Sequence, residues 1–515
     1  MEKAPGKKFC MVIIIYCLVS GIMLEGCSVN SKDSEFLSPQ NGQTPIKEVT
    51  LKFFFPGEEK SAKDEVLNAL YNQTRERLHA RFEFTFIPYG DYINRLTMMT
   101  ASGNNYDAVF TADWLNYSAM ATKKAFLNLN EILPEYAPNL YKYYKDHKML
   151  ADCSIDGQIM ALPWTQIKTS KPVFVWRKDI ADKFGIIPGE LTTIEGIDRF
   201  LTKIEEANPG ITVFDMHMSG TGTSGDILPL LHPKYEYADI GFHSFFVDLR
   251  DQTPRLIPLE QTEMFREAVY LARRWYKKGI ISKNALVEKQ IYLYENGRVF
   301  SKKDTNQALY ETINFTDKSA VSSAVEIYPG KKFIRDSQMN NAMALNKYSA
   351  NPERTLIFFE LLTTDQSVYD TLIYGIKGKT YIINKKDEIE FVKGESSSRS
   401  YWLNWFNHGF KRIDMERPTV GRSMAAIKKE REYAMRPNIV ISPLSGFSLN
   451  TDLIRTQLAR RDQLCEEQGK LLLAGIGTGD VDKAIDEYIQ NQKSSGLDKI
   501  LVELQKQIDT FTKGK

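Results

Sequence analysis

The strongest constraint on the fold is an alternation of strand and helix patterns that begins directly after residue 46. Three short apolar runs, at 49–55, 82–86 and 107–111, have the length and composition of buried strands. An amphipathic helix pattern follows each of the first two runs, one capped by Ser61 and one starting at Asp91. Elements in this order form a parallel sheet with helices on both faces. The sequence therefore predicts an α/β fold.

The residues after the third predicted strand are suited to a sugar ligand. Open parallel sheets bind ligands beyond the carboxyl ends of their strands, and Asp113, Trp114 and Tyr117 occupy that position. A carboxylate accepts hydrogen bonds from hydroxyl groups, and an aromatic ring covers the C–H surface of a sugar. These residues are predicted ligand contacts. The alternative is that Trp114 packs beneath the next helix.

Other aromatic residues are further candidates for ligand contacts. Trp164 lies where the chain is predicted to cross to a second lobe, so it either faces a cleft or packs in the hinge. Trp176 lies inside a predicted strand and points either to the cleft or to the core. Trp402 and Trp405 are three positions apart around Asn404, so a helix places both indoles on one face. That face is either a stacking platform or a packing surface.

The second half of the chain is predicted to be rich in helices. The segment 265–278 has a helical apolar stripe that Gly279 closes, with Trp275 in the core. Asn351 has the character of a helix cap before a proline. In the last sixty residues, apolar side chains recur at helical spacing, at Leu497, Leu501, Leu504 and Ile508.

The first 26 residues have the features of an export signal. Three lysines precede a nearly uncharged run of sixteen residues at 9–24. A membrane span needs roughly 20 apolar residues, whereas the core of an export signal needs roughly 7 to 15. The next residues, Leu-Glu-Gly-Cys, resemble a bacterial lipobox, although Glu25 departs from the small or apolar residue usual there. Cys27 is therefore predicted to be acylated, and 27–46 to be a flexible tether.

The alternative to a cleaved signal is an uncleaved membrane anchor with a chance cysteine. Both interpretations place the rest of the chain outside the cell.

Charge and cysteine content limit the classes of partner. The formal net charge is +2, and removal of three Lys and two Glu with residues 1–26 leaves +1. A balance so near neutrality gives no electrostatic reason to expect nucleic acid as a partner. After Cys27 only Cys153 and Cys465 remain, too few for a disulfide framework. Two free, buried thiols are predicted, and the alternative is a single disulfide between them in an oxidising compartment.

Patterns that suggest a metal or a cofactor are incomplete. His217, His232 and His243 have no spacing typical of a metal site. The loop at 217–226, HMSGTGTSGD, lacks the Lys-Ser/Thr ending of a phosphate-binding loop. The sequence therefore predicts neither a metal nor a cofactor.

Four longer motifs resemble one protein family, the family 1 extracellular solute-binding proteins that feed ABC importers, and within it a LipO-like subgroup. The segment DAVFTADWLNYSAMATKKAFLNLNEIL is similar to the family's strand and ligand loop, and GQIMALPW with FVWRKDIADKFGI is similar to its crossover. NPERTLIFFELLTTDQSVYDTLIYGIKGKTY and SPLSGFSLNTDLIRTQLA are similar to its later helices. One departure is Asn-His-Gly at 407–409, where subgroup relatives tend to have Gly-Asn-Gln.

The resemblance implies a two-lobed, periplasmic-binding-protein-like fold. Each lobe is expected to be an α/β sandwich, and hinge strands join the lobes, which close on a ligand. Lobe 1 is expected to comprise 47–164 plus 297–335. Lobe 2 is expected to comprise 165–296 plus 336–515, including a C-terminal helical region.

The resemblance also implies a function without chemistry. A lipid-anchored monomer on the extracellular face of the cell membrane (the periplasmic side if an outer membrane is present) captures an oligosaccharide and delivers it to the permease subunits of an ABC importer. Two alternatives remain open at this point. An exported glycoside hydrolase needs two carboxylates roughly 5 to 9.5 Å apart. The same fold can instead bind a peptide or a charged small solute, which calls for an Arg or Lys pair in the cleft.

Overall fold

Lobe 1 is built on the predicted alternation, which the structure confirms. We describe a computed structural model in which the placed residues are 47–103, 105–216, 227–240, 244–288, 292–392, 407–447, 449–477 and 479–513. The first three strands run parallel to one another. They form a five-stranded sheet with two later strands that are antiparallel to their neighbours, in the order Ala80–Ile87, Val49–Pro56, Ala108–Thr111, Ala342–Leu345 and Leu162–Pro163.

Several predictions fall outside the described residues. These are the export signal, Cys27, the tether, His217, His243, the loop at 217–226, and the aromatic group of Trp402, Asn404 and Trp405. Within the described ranges, no helix combines the length and the apolar character needed to cross a bilayer.

Helices cover both faces of the lobe 1 sheet. Ser61 is not the cap that was predicted, because the first helix begins at Lys63 after Ala62 and no side chain caps it. Asn351 precedes its helix as predicted, but its amide donates to the carboxylate of Asp107 instead of capping. The main helices are Lys63–Leu78, Tyr89–Ser102, Tyr117–Thr122, Ile132–Tyr136, Pro138–Asp146, Pro352–Thr364, Gln366–Tyr374 and Asn407–Phe410.

An aromatic cluster holds the core of lobe 1 together. The ring of Phe53 lies 5.3 Å from that of Phe84, 5.7 Å from that of Phe358 and 6.0 Å from that of Phe410, with edge-to-face geometry in each case. These rings come from two parallel strands and from two helices that lie far along the chain. Burial of each ring contributes about 2–3 kcal/mol, so this cluster ties the N-terminal strands to residues 358–410.

Lobe 2 has a four-stranded sheet, and the strands that form it correct the predicted lobe boundaries. The strands Val299–Thr305 and Ser322–Glu326 both pair antiparallel with Pro172–Arg177, so 297–335 does not belong to lobe 1 as was predicted. Conversely, Ala342–Leu345 belongs to lobe 1. The resemblance to the family placed the return to lobe 1 too early, because both strands complete the lobe 2 sheet, one on each side of Pro172–Arg177, before the chain crosses back. The fourth strand is Thr212–Phe214.

The helices of lobe 2 pack around Trp275. Its ring is fully buried, as predicted, and its indole N–H donates to Asp198 at 2.7 Å. The helix that carries it ends at Gly279, whose φ of 83° is in the left-handed region that glycine favours. The elements are Lys178–Lys183, Ile194–Glu206, Ile227–Tyr235 and Glu263–Lys278, with short strands at Tyr237–Asp239, Phe245–Asp248 and Ile257–Pro258.

The C-terminal helices pack against lobe 2. Leu473, Ile485 and Tyr488 join the same core as Trp275. Of the predicted apolar stripe in the last helix, Leu501 is only partly buried and the other three members are buried. Cys465 and Cys153 are free and buried, as predicted. The helical segments are Arg455–Leu464, Cys465–Gly469 with π-helical geometry, Lys470–Leu473, Val481–Ser494 and Leu497–Lys513.

Connections between the lobes run side by side and form the hinge. The backbone N–H and the hydroxyl of Ser170 donate to the carboxylate of Asp336 at 2.8 and 2.7 Å. The strand Phe333–Ile334 pairs parallel with Ile439–Val440. Thr169 donates its hydroxyl proton to the carbonyl of Ile334 at 2.7 Å. Segments around 170, 335 and 440 therefore support one another between the lobes.

Candidate functional site

A cleft of about 650 Å³ lies beyond the carboxyl end of the strand Ala108–Thr111. This is the edge at which the sequence predicted a ligand site, and the volume lies within the range typical of small-molecule sites. Lobe 1 contributes Asp113 and Asp152, the hinge contributes residues 334–337, and lobe 2 contributes Asp239. The cleft is thus lined from both lobes and from the hinge.

Asp113 lines the cleft. It opens a single 3-10 turn, Asp113–Leu115, directly after the extended residue Ala112. The hydroxyl of Ser337 donates to its carboxylate. The residue reaches solvent, yet many protein atoms surround its carboxyl group, and this burial, with the nearby charge of Asp152, raises its pKa to about 6. The Ser337 hydrogen bond opposes that rise.

Trp114 forms an aromatic wall of the cleft. Its indole N–H donates to the carbonyl of Asn340 at 2.9 Å, which fixes the ring against the hinge segment. The residue is 41% exposed. The ring of Tyr89 lies 5.9 Å away at an angle of 21°, and the ring of Phe110 lies 6.1 Å away. The predicted alternative, complete burial beneath the next helix, does not occur.

Tyr117 lies in the core and not in the cleft, which corrects the predicted ligand contact. Asn116, with φ of 58°, turns the chain between the 3-10 turn and the next helix. This turn directs the Tyr117 ring inward, where it is fully buried and stacks on Phe126 at 6.0 Å. Its hydroxyl donates to the carbonyl of Cys153 at 2.7 Å. Sequence proximity to Trp114 did not reveal this reversal.

Two predicted tryptophans are packing residues in this structure. Trp164 is 4% exposed, lies at the hinge and is 6.0 Å from the ring of His408, so hinge packing describes it better than ligand contact. Trp176 is 7% exposed and stacks on Phe174 at 5.7 Å in the lobe 2 core. Every residue of the strand Pro172–Arg177 is buried, so both faces of the sheet are covered at this strand and Trp176 is in the core whichever face it occupies.

Several cleft residues escaped the sequence analysis. Asp152 accepts hydrogen bonds from the backbone N–H of Gln338 at 2.8 Å and from the hydroxyl of Ser445. The guanidinium of Arg335 donates to the carbonyls of His147 and Lys148 at 3.1 and 3.2 Å. Asp152 lies in a turn of lobe 1 and Arg335 lies in an irregular hinge segment, and neither stretch has a periodic pattern. The only available signal was the density of polar residues in Arg-Asp-Ser-Gln at 335–338, between two apolar strands.

Gly446 allows the third hinge segment to touch lobe 1. Its φ is 80°, and a Cβ at this position would lie 2.5 Å from the carbonyl oxygen of Ala151. Only glycine permits both the backbone conformation and the close approach. The neighbouring Ser445 can therefore reach Asp152 and complete the rim of the cleft.

Among the described residues, the buried His232 and the acidic side chains do not form a metal site. His232 packs its ring 5.2 Å from that of Phe246, and burial lowers its pKa to about 4. In the part of the chain that the structure describes, no three His, Cys, Asp or Glu side chains converge as metal ligands do.

Sequence comparison finds a relative that spans nearly the whole chain. A carbohydrate ABC transporter substrate-binding protein of Streptococcus pneumoniae (serotype 4) is 24% identical over 481 residues, which cover 92% of each protein. The chain is thus similar to this substrate-binding protein over nearly its whole length. Its residues 443–513 match a family described as a domain of unknown function, DUF3502. That match begins at the hinge segment of Ser445 and Gly446 and includes the C-terminal helices.

Solved structures of solute-binding proteins share the fold. NgtS, an N-glycan transport solute-binding protein from Streptococcus pneumoniae, superposes with a TM-score of 0.74 at 22% identity, over 90% of this chain and 99% of its own. FusA from the same organism, solved in complex with kestose, has a TM-score of 0.59 at 14% identity, over 90% and 100% of the two chains. The two-lobed α/β architecture that the family resemblance implied is thereby confirmed.

Proposed function

We propose that the protein captures an oligosaccharide in the cleft between its lobes and delivers it to an ABC importer. The observation that carries the proposal is the pairing of Trp114 and Asp113 in the cleft, with the indole fixed at its nitrogen and the carboxylate beside it. An indole face covers the C–H surface of a pyranose, and the carboxylate accepts its hydroxyl protons. Relatives named for carbohydrate and N-glycan transport support the assignment.

The hinge gives the proposed function a mechanism. Each lobe alone covers only part of a ligand in a cleft of about 650 Å³. When the lobes close, the ligand becomes enclosed, and its binding energy favours the closed state over the open one. Permease subunits that recognise only the closed form would then accept loaded protein and ignore empty protein. The protein itself carries out no reaction in this scheme.

The anchor is the second part of the proposal. Acylation of Cys27 would hold the protein at the extracellular face of the membrane, and two acyl chains are needed because one gives only marginal binding. Replacing Cys27→Ser is expected to release the protein from the membrane fraction and to abolish incorporation of labelled palmitate in the producing cell. Retention of the variant in membranes would support the uncleaved anchor instead.

Ligand capture is tested by thermal unfolding of the soluble form, residues 28–515, against a glycan library. A ligand at about 100 times its Kd stabilises the folded state by about 2.7 kcal/mol. Trp114→Ala is expected to abolish the ligand-dependent shift while the free energy of unfolding without ligand falls by roughly 1 kcal/mol. Tyr348→Ala is a matched control, because this ring is 63% exposed but does not line the cleft, and it should leave the shift intact.

A large loss of stability in Trp114→Ala, with the ligand-dependent shift retained, would contradict a ligand-binding role. A screen in which peptides or small charged solutes stabilise the protein and no glycan does would assign the cleft to those solutes instead.

Glycoside hydrolysis is a second candidate, which one observation favours. Asp113 has a pKa raised to about 6, chiefly by burial, and Asp152 lies in the same cleft, as a mechanism with two carboxylates requires. However, hydrogen bonds from Gln338 and Ser445 already occupy Asp152. Mass spectrometry of any bound oligosaccharide after prolonged incubation should find it intact. Cleavage that Asp113→Asn abolishes would establish the enzyme.

A further inference from the structure

A second exposed aromatic ring lies beside Trp114 at the strand ends of lobe 1. Three parallel strands end at the same edge of the sheet. Trp114 comes shortly after the strand that ends at Thr111. Tyr89 comes shortly after the strand that ends at Ile87. One strand lies between these two, and neighbouring strands are about 4.8 Å apart, so the two strand ends are about 10 Å apart. Side chains of this size meet across such a distance.

The rings of Tyr89 and Trp114 form an offset stack. Their centroids are 5.9 Å apart, and their planes are inclined by 21°. Because stacked carbon atoms in contact are about 3.5–4 Å apart, rings at this centroid distance are displaced sideways by more than about 4 Å. The two rings therefore cover each other only in part. Tyr89 is 54% exposed and Trp114 is 41% exposed, so together they present a continuous aromatic surface to solvent.

Tyr89 extends this aromatic surface beyond the cleft. Trp114 lines the cleft, whereas Tyr89 is outside its lining. In the sheet, the strand that ends at Ile87 forms one edge, and the strand that ends at Pro163 forms the other. The second of these strands leads directly into Trp164 and the hinge. A ligand that contacts both rings therefore runs out of the cleft in the direction away from the hinge.

The local structure holds the Tyr89 ring in place before a ligand arrives. Pro88, with a φ of −48°, precedes the helix Tyr89–Ser102 and restricts the backbone at its start. A tyrosine side chain has only two χ angles, so fixing it costs little conformational entropy. Trp114, on which it stacks, is itself fixed by the hydrogen bond to the carbonyl of Asn340. The surface is thus preorganised for a ligand.

We propose that Tyr89 forms an outer subsite, so that the protein binds a glycan chain that extends out of the cleft. The subsite rests on the proposed function, because it concerns the same ligand. The indole of Trp114 contacts one sugar unit inside the cleft, and the phenol ring of Tyr89 contacts a later unit outside it. Each ring covers the C–H surface of its unit. One added aromatic contact of this kind strengthens binding about fivefold to tenfold.

The test measures affinity against the chain length of the glycan. The full chain, purified in detergent, is titrated by calorimetry with ladders of malto-, cello-, manno- and chito-oligosaccharides, from the monosaccharide to the hexasaccharide. In a ladder that binds, Kd should fall about fivefold to tenfold at the length at which the chain reaches Tyr89. Tyr89→Ala should abolish this step and leave Kd unchanged for the shorter members.

Two further variants control the measurement. Tyr89→Phe keeps the ring and removes only the hydroxyl group, so the step in Kd should remain. Tyr348→Ala removes a ring that is 63% exposed and lies outside the cleft lining, so Kd should stay unchanged at every length.

The outcomes separate the outer subsite from glycan capture. A step that survives in Tyr89→Ala, or a parent protein without a step, would overturn the subsite and leave glycan capture intact. An equal loss of affinity at every length in Tyr89→Ala would also overturn it, because the ring would then only support Trp114. If no member of a ladder and no glycan of the library binds, the proposed function fails and the subsite fails with it.

Discussion

Glu260 in lobe 2 and Asp113 in the cleft are both carboxylates among many protein atoms, and they differ in their partners. Glu260 accepts two hydrogen bonds from the guanidinium of Arg461, at 2.6 and 2.8 Å, and both side chains are 1% exposed. Asp113 has a neutral partner, Ser337, and a carboxylate, Asp152, as a charged neighbour. The charge of Glu260 is neutralised inside the fold by Arg461. Asp113 lines the cleft and accepts its hydrogen bond from a neutral hydroxyl group.

The difference shows what each region requires. The Arg461–Glu260 pair joins the C-terminal helices to the rest of lobe 2, and the guanidinium also lies 4.4 Å from the ring of Phe245. In a buried contact of this kind, a charged side chain is destabilising unless its counter-charge is present. An open cleft can hold unpaired carboxylates because water solvates them until a ligand replaces it.

The largest expected effect comes from breaking the closed pair. Arg461→Ala leaves Glu260 buried without a counter-charge and should lower the free energy of unfolding by about 3–5 kcal/mol, measured by chemical denaturation. Arg455→Ala is the matched control, because its pair with Asp452 is exposed, and the loss should be below about 1 kcal/mol. The double variant Arg461→Met with Glu260→Leu should recover most of the loss. Equal losses of unfolding free energy in Arg461→Ala and Arg455→Ala would contradict the expected difference between a buried and an exposed ion pair.

An intermediate effect is expected at the rim of the cleft. Gly446→Ala combines a left-handed backbone with a Cβ 2.5 Å from the carbonyl of Ala151, and should lower the free energy of unfolding by about 3 kcal/mol. Gly421→Ala isolates the backbone term, because φ is 91° there but no heavy atom lies within 4 Å of the Cβ, and should cost about 1–2 kcal/mol. The additional loss of unfolding free energy in Gly446→Ala, relative to Gly421→Ala, measures the close contact of Gly446 with lobe 1. No excess would show that this contact contributes nothing.

The smallest effect is expected at Asp113, the carboxylate in the cleft. The sign of the change in the free energy of unfolding is what tests it. The pKa of Asp113 is raised to about 6 in the folded state, above the usual value near 3.9. Between these two values the folded state binds a proton that the unfolded state does not bind. The contribution of Asp113 to stability therefore falls as the pH rises from about 4 through 6. Asp113→Asn should therefore gain stability relative to the parent at pH 7.5 and not at pH 4. The gain should stay below about 1 kcal/mol because the residue reaches solvent.

A companion measurement tests the cause of that shift. The hydrogen bond from Ser337 lowers the pKa of Asp113, so Ser337→Ala should move the titration of this carboxyl group to higher pH, as followed by NMR of the carboxyl carbon. A shift to lower pH would contradict the role given to Ser337.

The sequence revealed elements better than it revealed their partners. The strands at 49–56 and 80–87 were predictable because their apolar residues alternate and turn signals bound them. The lobe assignment of 299–326 was not, because which strand a segment pairs with depends on the whole sheet. Arg460 and Arg461 are adjacent in one helix, and only the tertiary fold makes one exposed and the other fully buried.

The candidate site shows the same difference between features that local sequence predicts and features that depend on the tertiary fold. The location of Asp113 and Trp114 at the cleft was predictable from their place after a parallel strand, and their contact with a ligand stays a prediction. Tyr117 was misplaced because a single left-handed residue, Asn116, reverses the direction of the chain before it. The hinge residues that complete the cleft lie in segments whose conformation depends on contacts with both lobes. No local pattern records such contacts.

The strand Ala342–Leu345 sets the order in which the protein can fold. It lies inside the lobe 1 sheet, between strands that end at Thr111 and Pro163, yet it follows the whole lobe 2 sheet in the chain. A ribosome or an export channel that releases the chain from its N-terminus presents most of lobe 1 long before this strand is available. The nascent first lobe must therefore wait, with an open sheet edge, until about 180 further residues have emerged, and a chaperone that shields that edge would speed its maturation.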